Sequence, residues 1–341
     1  MIARDWAMAV MAGAGRMGMG LIAIVGPTAT GKTALAIAVA EALGTGIIGA
    51  DSRQIYRYFD VGTAKPTGAD RDRVAHALVD CWEPDCPKTL ADYQELARSR
   101  LEAMQRSGRV PLLVGGTGLY VKSIVRGLKI PRVAPQPQLR SQLMAQGQVY
   151  CYGCLRRVDP AAAAKIHPND VTRTVRALEI FYCSGRPASE QQGEAPPPYP
   201  ILQIGIDCLD AMGEGRSRDR RTKAMDETID RGDRLTVRIG QRTRAMFEAG
   251  FVAEAAALRD RYGPDLPLLQ TLGYREVGQF LDGQISLTEA EALTVLHTRQ
   301  FAKRQRTWFR ADPTIQWLDS DDPQVRDRAI ALARAFQQRL K

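Results

Sequence analysis

The apolar run Leu21-Ile-Ala-Ile-Val25 passes directly into Gly26-Pro-Thr-Ala-Thr-Gly31-Lys32-Thr33 and then into a helix-forming stretch, Ala34 to Leu43. A strand, a glycine-bounded loop and a helix in that order specify a phosphate-binding loop. They commit the chain to an α/β fold with a P-loop NTPase-like core and a parallel sheet. Gly26 and Gly31, with Pro27, Thr28, Ala29 and Thr30 spanning between them, let backbone amides turn inward around an anion. The Lys32 ammonium reaches the outer phosphate, and the Thr33 hydroxyl suits a magnesium ion. The positive end of the following helix dipole points at the same spot. The motif is of nucleotide-binding type, yet it leaves open whether the ligand is a nucleotide or a plain pyrophosphate.

A second glycine pattern, Gly13-Ala-Gly15-Arg-Met-Gly18, matches dinucleotide spacing. A strand rather than a helix follows it, which rejects that reading. Residues 1–20 faintly mimic a secretory signal, with Arg4 before a short apolar run, but Asp5 interrupts it and the phosphate loop follows almost at once. A flexible tail, or a start at Met17 or Met19, is expected instead.

The 341 residues, 45% hydrophobic and 25% charged, are enough for one large or two modest globular domains, and no apolar stretch is long enough to span a bilayer. The formal net charge of +9 favours a polyanionic partner. Of six cysteines only Cys151-Tyr-Gly-Cys154 has metal-like or redox-like spacing. One such pair lacks the second that a zinc site needs, so free thiols in a reducing cytoplasm are expected.

Within a core over 21–130, Ile47-Ile-Gly-Ala50 reads as a second strand ending in Asp51-Ser-Arg-Gln-Ile-Tyr56, and Val110 to Val114 as a third feeding Gly115-Gly-Thr-Gly-Leu-Tyr120. Residues at the carboxyl ends of parallel strands face the ligand crevice, which places Asp51 well for chemistry. A proline-spaced linker, Pro131-Arg-Val-Ala-Pro135-Gln-Pro137, opens a mostly helical insertion domain over 131–200, closed by Pro196-Pro-Pro198-Tyr-Pro200. Ile201-Leu-Gln-Ile-Gly-Ile206 is expected as a returning strand, starting a second core segment over 201–341. The polar stretch 211–232 reads as a mobile excursion. Helical periodicity then runs from Arg234 to the end, with Leu235, Ile239, Met246 and Phe247 facing the core.

The stretches Gly26 to Thr33, Asp51 to Tyr56 and Gly115 to Tyr120, together with Gly62-Thr-Ala-Lys-Pro66, His167-Pro-Asn-Asp170, Arg173, Arg176-Ala-Leu-Glu179 and Thr298-Arg-Gln-Phe-Ala-Lys-Arg-Gln-Arg-Thr-Trp308, resemble the tRNA dimethylallyltransferases, also called tRNA isopentenyltransferases, in the family's order over roughly residues 21 to 318. The resemblance implies transfer of a dimethylallyl group from its diphosphate to the exocyclic N6 amine of the adenosine just 3′ of the anticodon. It implies Asp51 as general base and Thr117 beside the target adenine. Residues 26 to 33 and Arg238 would hold the diphosphate, with magnesium on Thr33.

By the same resemblance the anticodon stem-loop meets Asp51, Ser52, Arg53, Gln54, Thr117, Arg140, Thr172, Arg173, Thr174, Val175 and Arg176. Its stacked target base is flipped into the pocket. Lys303-Arg-Gln-Arg306 would add sequence-independent phosphate contacts. No membrane partner is implied, and a monomer would suffice. The chain departs from many relatives at Ala75-His76-Ala77, where they carry paired histidines.

Other readings compete. The phosphate loop and base also suit an isopentenyltransferase acting on free adenine nucleotides. The loop alone suits a small-molecule kinase or ATPase, and the charge alone a non-catalytic RNA-binding protein. Asp51 could cap a helix, Arg173 and Arg176 could form a solvated basic stripe, and His167 reads as a hinge or packing residue. Trp308 and Phe309 are expected in the core.

Overall fold

A computed structural model describes residues 19–208 and 234–341. Most of the expected tail, the glycine pattern at 13–18 and the excursion 211–232 lie outside the described residues. The described residues form two compact units, the larger holding residues 19–88, Glu95–Val121, 199–208 and 234–341.

In the larger unit β1 (Leu21–Val25) leads through the loop into α1 (Lys32–Leu43), followed by β2 (Ile47–Gly49), β3 (His76–Ala77), β4 (Leu112–Gly115) and β5 (Ile201–Asp207). Helices α2 (Arg234–Glu248), α3 (Phe251–Tyr262), α4 (Tyr274–Leu281) and α5 (Leu287–Arg310) come next, then β6 (Ile315–Asp319) and α6 (Val325–Arg339). The six strands form one sheet in the order β3-β2-β4-β1-β5-β6, every neighbouring pair parallel. The expected α/β core is therefore present.

Every residue of β1 is buried. That position explains its unbroken apolar run, since a central strand of a parallel sheet is covered on both faces. Ile22 and Ile24 pack with Leu35 and Val39 of α1, Ile204 of β5, and Ala329 and Ala333 of α6. Gly44, at φ 63°, ends α1 with a left-handed cap that a side chain would strain.

Two strands were not evident in the sequence. β3 has only two residues, too few for a periodic signal. β6 interrupts the expected run of C-terminal helices and pairs with β5 from Gln203↔Ile315 to Asp207↔Asp319. Gly205 makes room for it, because a Cβ there would lie 2.6 Å from side-chain atoms of Ile315 and Trp317. Leu235 and Ile239 are buried as their spacing predicts.

The smaller unit comprises Thr89–Gln94 and Lys122–Pro198. Helices Pro137–Ala145, Gln148–Val158 and Val171–Ser184 pack around Leu143, Leu155, Val175 and Leu178, beside a short antiparallel pair, Leu128–Lys129 with Gly193–Glu194. Cys151 belongs to this core, and its thiol donates to the Leu143 carbonyl at 3.0 Å. All six cysteines are free thiols. Among the described residues no helix is long and apolar enough to cross a membrane.

Candidate active site

The carboxyl ends of β1, β2 and β4 open onto a cavity of about 780 Å³ in the larger unit, lined by Thr28, Lys32, Thr33, Asp51, Thr117 and Arg242 among others. Its floor is the phosphate loop. Gly26 sits at φ 146°, and a Cβ there would meet the Ile206 carbonyl oxygen at 2.1 Å, so only glycine lets the loop leave β1 beside β5. Thr30 is buried and its hydroxyl donates to the Pro27 carbonyl at 2.9 Å, which closes the loop on itself. The first turn of α1 follows Gly31 with no side-chain cap, so its amides point at the cavity with the positive end of the helix dipole.

Lys32 donates to the Pro27 carbonyl. Burial first, and the Arg242 charge second, push its ammonium down to about 7, while Asp51 and Asp207 oppose the shift. Arg242, on α2, donates to the Thr28 hydroxyl and, at 3.3 Å, to the Thr63 carbonyl. Burial lowers its pKa too, and Asp51 opposes. Two basic side chains thus meet on the loop at the cavity.

The residues after β2 form the facing wall. One carboxylate oxygen of Asp51 accepts from the Arg53 amide at 2.8 Å and the Gln54 amide at 3.3 Å. This local Asx turn aims the side chain from the strand end and caps no helix. Thr117 accepts from the Ser52 amide at 3.0 Å, while its own amide donates to the Ala50 carbonyl at 3.1 Å. Gly115 permits this approach, since a Cβ there would lie 2.1 Å from the Ala50 oxygen. The structure therefore brings Asp51, Ser52, Arg53, Gln54 and Thr117 to one cavity with the phosphate loop.

A single buried glutamine joins two of these loops. Gln305 of α5 accepts from the Thr28 amide at 2.9 Å and donates to the Gly116 carbonyl at 2.8 Å. Sequence reading missed both Arg242 and Gln305. Arg242 stands one helical turn after Arg238 on α2, which was the available signal. Arg238 also lines the cavity, with its guanidinium on the Ser320 hydroxyl at 3.1 Å and on Asp321.

The run Lys303 to Arg306 does not act as one basic stripe. Lys303 and Arg304 are exposed, but Arg306 binds Asp207, fully buried at the end of β5, through contacts of 2.8 to 3.0 Å. Trp308 departs from its expected core position: it is 43% exposed over the start of the helix Gly118–Val125, where a Cβ on Gly118 would meet it at 2.3 Å. Phe309 is buried as expected.

In the smaller unit Arg140 and Arg176 converge on Glu179, which is fully buried. Burial works to raise the Glu179 pKa, but bonds from Arg140, the Gln136 amide and Arg176 outweigh it and hold the carboxyl at about 2. Arg176 is therefore not part of a solvated stripe, whereas Arg173 is exposed as that reading expected. Thr172 and Arg173 are exposed, whereas Thr174 and Val175 are buried in this unit's core. Asp170 caps their helix by accepting from the Arg173 amide at 3.0 Å. His167 is exposed, its Nδ1 accepting from the Asn169 amide at 3.2 Å.

The IPP transferase family model matches residues 54–312, and the isopentenyl transferase model residues 19–77. The chain is 54% identical over 309 residues to the tRNA dimethylallyltransferase of Crocosphaera subtropica, covering 91% of this chain and 95% of that one. It is 51% identical over 322 residues to the tRNA dimethylallyltransferase of Synechococcus elongatus, covering 94% and 97%. The crystal structure of a tRNA isopentenylpyrophosphate transferase from Bacillus halodurans is similar with a TM-score of 0.65 at 34% identity, covering 94% of this chain and 99% of that one. A eukaryotic dimethylallyltransferase acting on tRNA shares the fold, with a TM-score of 0.76 at 23% identity over 94% of this chain and 80% of that one.

Proposed function

The chain belongs to the IPP transferase family, and from that premise we propose how its own residues carry the reaction. The enzyme transfers a dimethylallyl group from dimethylallyl diphosphate to the N6 amine of the adenosine just 3′ of the anticodon in tRNA, releasing diphosphate. The observation that carries the assignment of roles is that Asp51 and the loop cations Lys32 and Arg242 line one cavity.

A bond forms between the amine nitrogen and the allylic carbon as the bond from that carbon to the diphosphate oxygen breaks. The aryl amine is a weak nucleophile because its lone pair is delocalised into the ring. Asp51 takes its proton, since no described residue hydrogen-bonds its second carboxylate oxygen. Thr117, fixed by the Ser52 amide, positions the base. The loop amides, Lys32 and Arg242 stabilise charge on the departing diphosphate, with Arg238 at the edge of the same space.

Thr33 lines the cavity, and its hydroxyl is a hard oxygen donor that fits a cation such as magnesium. Thr33 would hold it, and the charge it supplies would help neutralise the leaving group. Exposed Thr172 and Arg173 of the smaller unit are assigned to the RNA, and a cytoplasmic setting agrees with tRNA as substrate and with free thiols.

The test is a labelled dimethylallyl transfer assay with unmodified anticodon stem-loop RNA and, separately, AMP as acceptors. Label in RNA alone supports the assignment. Label in AMP alone would replace it with a nucleotide prenyltransferase.

A further inference from the structure

The segment between Gln54 and Pro66 has no regular structure apart from one isolated bridge, yet it forms part of the cavity wall through Gly62, Thr63 and Ala64. Ala64, at φ 47°, occupies a left-handed conformation that alanine rarely adopts. Such a backbone persists only where its surroundings over-determine it. Two groups do so from opposite ends.

Lys65 is buried beneath the segment and donates to the Tyr56 carbonyl at 2.8 Å, to Asp60 at 2.5 Å and to Asp80. Glu254 of α3 receives three consecutive amides: Asp60 at 3.0 Å, Val61 at 2.6 Å and Gly62 at 3.0 Å. The buried Tyr274 hydroxyl adds a fourth bond to the same carboxylate at 2.6 Å. Gly62 rests directly on aromatic rings, since a Cβ there would lie 2.1 Å from Phe251 and 2.6 Å from Tyr274. A carboxylate saturated by successive amides fixes both the height and the direction of a loop.

The next peptide is the functional one. The Thr63 carbonyl accepts from Arg242 at 3.3 Å and from the Gln54 amide group at 3.0 Å. Arg242 also holds the Thr28 hydroxyl, and the Gln54 backbone amide holds Asp51. We propose that Glu254 is a positioning residue for the diphosphate end of the cavity: by holding the Asp60 to Gly62 amides it sets the Thr63 carbonyl, and through it the aim of Arg242 at the phosphate loop. The inference rests on the diphosphate assignment above and deepens it.

The test compares full-length Glu254→Gln and Glu254→Ala with Arg259→Ala. Arg259 fastens α3 to Gly278 and Asp282, so its loss loosens the same helix without touching the segment. Calorimetry with inorganic pyrophosphate is expected to show roughly tenfold weaker binding in Glu254→Gln, the scale of one lost charge-assisted hydrogen bond. Binding is expected to be weaker still in Glu254→Ala and unchanged in Arg259→Ala. In transfer kinetics KM for dimethylallyl diphosphate should rise more than kcat falls. Unchanged pyrophosphate affinity in both Glu254 variants, or an equal loss in Arg259→Ala, would overturn the proposal. A wild type that binds pyrophosphate but transfers no prenyl group would overturn the reaction assignment alone, leaving the binding ratio to decide this one.

Discussion

Lys32 and Arg242 share the phosphate loop, the lysine bound to the Pro27 carbonyl and the arginine to the Thr28 hydroxyl, and the arginine's charge adds to burial in lowering the lysine's pKa. Two like charges are held together, and among the described residues Asp51 and Asp207 oppose the shift without cancelling it. An anion between them relieves burial and repulsion at once.

That relationship sets a pH dependence. The Lys32 pKa falls from 10.5 to about 7 on folding, so between those values the unfolded chain holds a proton that the folded chain has released. The cost to stability is full below about pH 7 and is lost as pH rises toward 10.5. Lys32→Met should therefore raise the melting temperature of the ligand-free protein near neutrality and leave it unchanged at the alkaline end. An equal gain at both pH values would contradict the assignment.

Pyrophosphate binding should take up a proton near neutral pH and weaken as Lys32 deprotonates. Arg242→Met removes one phosphate contact and the second-largest cause of the low lysine pKa. It should weaken pyrophosphate roughly 10- to 100-fold at pH 7 and move the proton-uptake midpoint upward. Calorimetry in buffers of different ionisation enthalpy reads both, and a midpoint that stays put would separate the two residues.

Asp51→Asn can keep the turn made with the Arg53 and Gln54 amides while losing basicity. Transfer should fall roughly 10²- to 10⁴-fold with pyrophosphate affinity held within a few-fold. Single-turnover rates under saturating substrates make the comparison, and near-normal transfer would remove Asp51 as the base.

Gln305→Leu leaves the Thr28 amide and the Gly116 carbonyl without their shared partner. Stability should drop by about 1–3 kcal/mol, the usual cost of an unsatisfied buried group. Urea titration gives that figure, and transfer should fall alongside it because both loops lose their spacing.

Glu179 gives the smaller unit an acid sensitivity of its own. Its pKa is lowered from 4.5 to about 2, so its contribution is present above about pH 5 and is lost as pH falls toward 2. Glu179→Gln should flatten that acid limb and lower stability at pH 7 by leaving Arg140 and Arg176 without their anion. Melting curves across the range report it, and an unaltered acid limb would argue against the cluster.

The strand, loop and helix from Leu21 to Leu43 were legible in the sequence because each is a local pattern whose parts agree. Asp51 was legible for the same reason, standing at the end of an apolar strand. Arg242 and Gln305 were not, because they reach Thr28 across 214 and 277 positions, and folding alone brings them there. Arg306 misled for a related reason: its anion, Asp207, lies 99 positions earlier, so local charge suggested a free basic surface. β6 carried too little pattern of its own and owes its strand form to β5 and to the space at Gly205.

The bridge made by Gln305 also gives assembly a direction in time. The phosphate loop is synthesised first, and the side chain that ties it to the Gly116 loop follows 277 residues after Thr28. A nascent chain stopped before residue 305 carries the motif without its brace, so the spacing of the two loops is set only once α5 has been made.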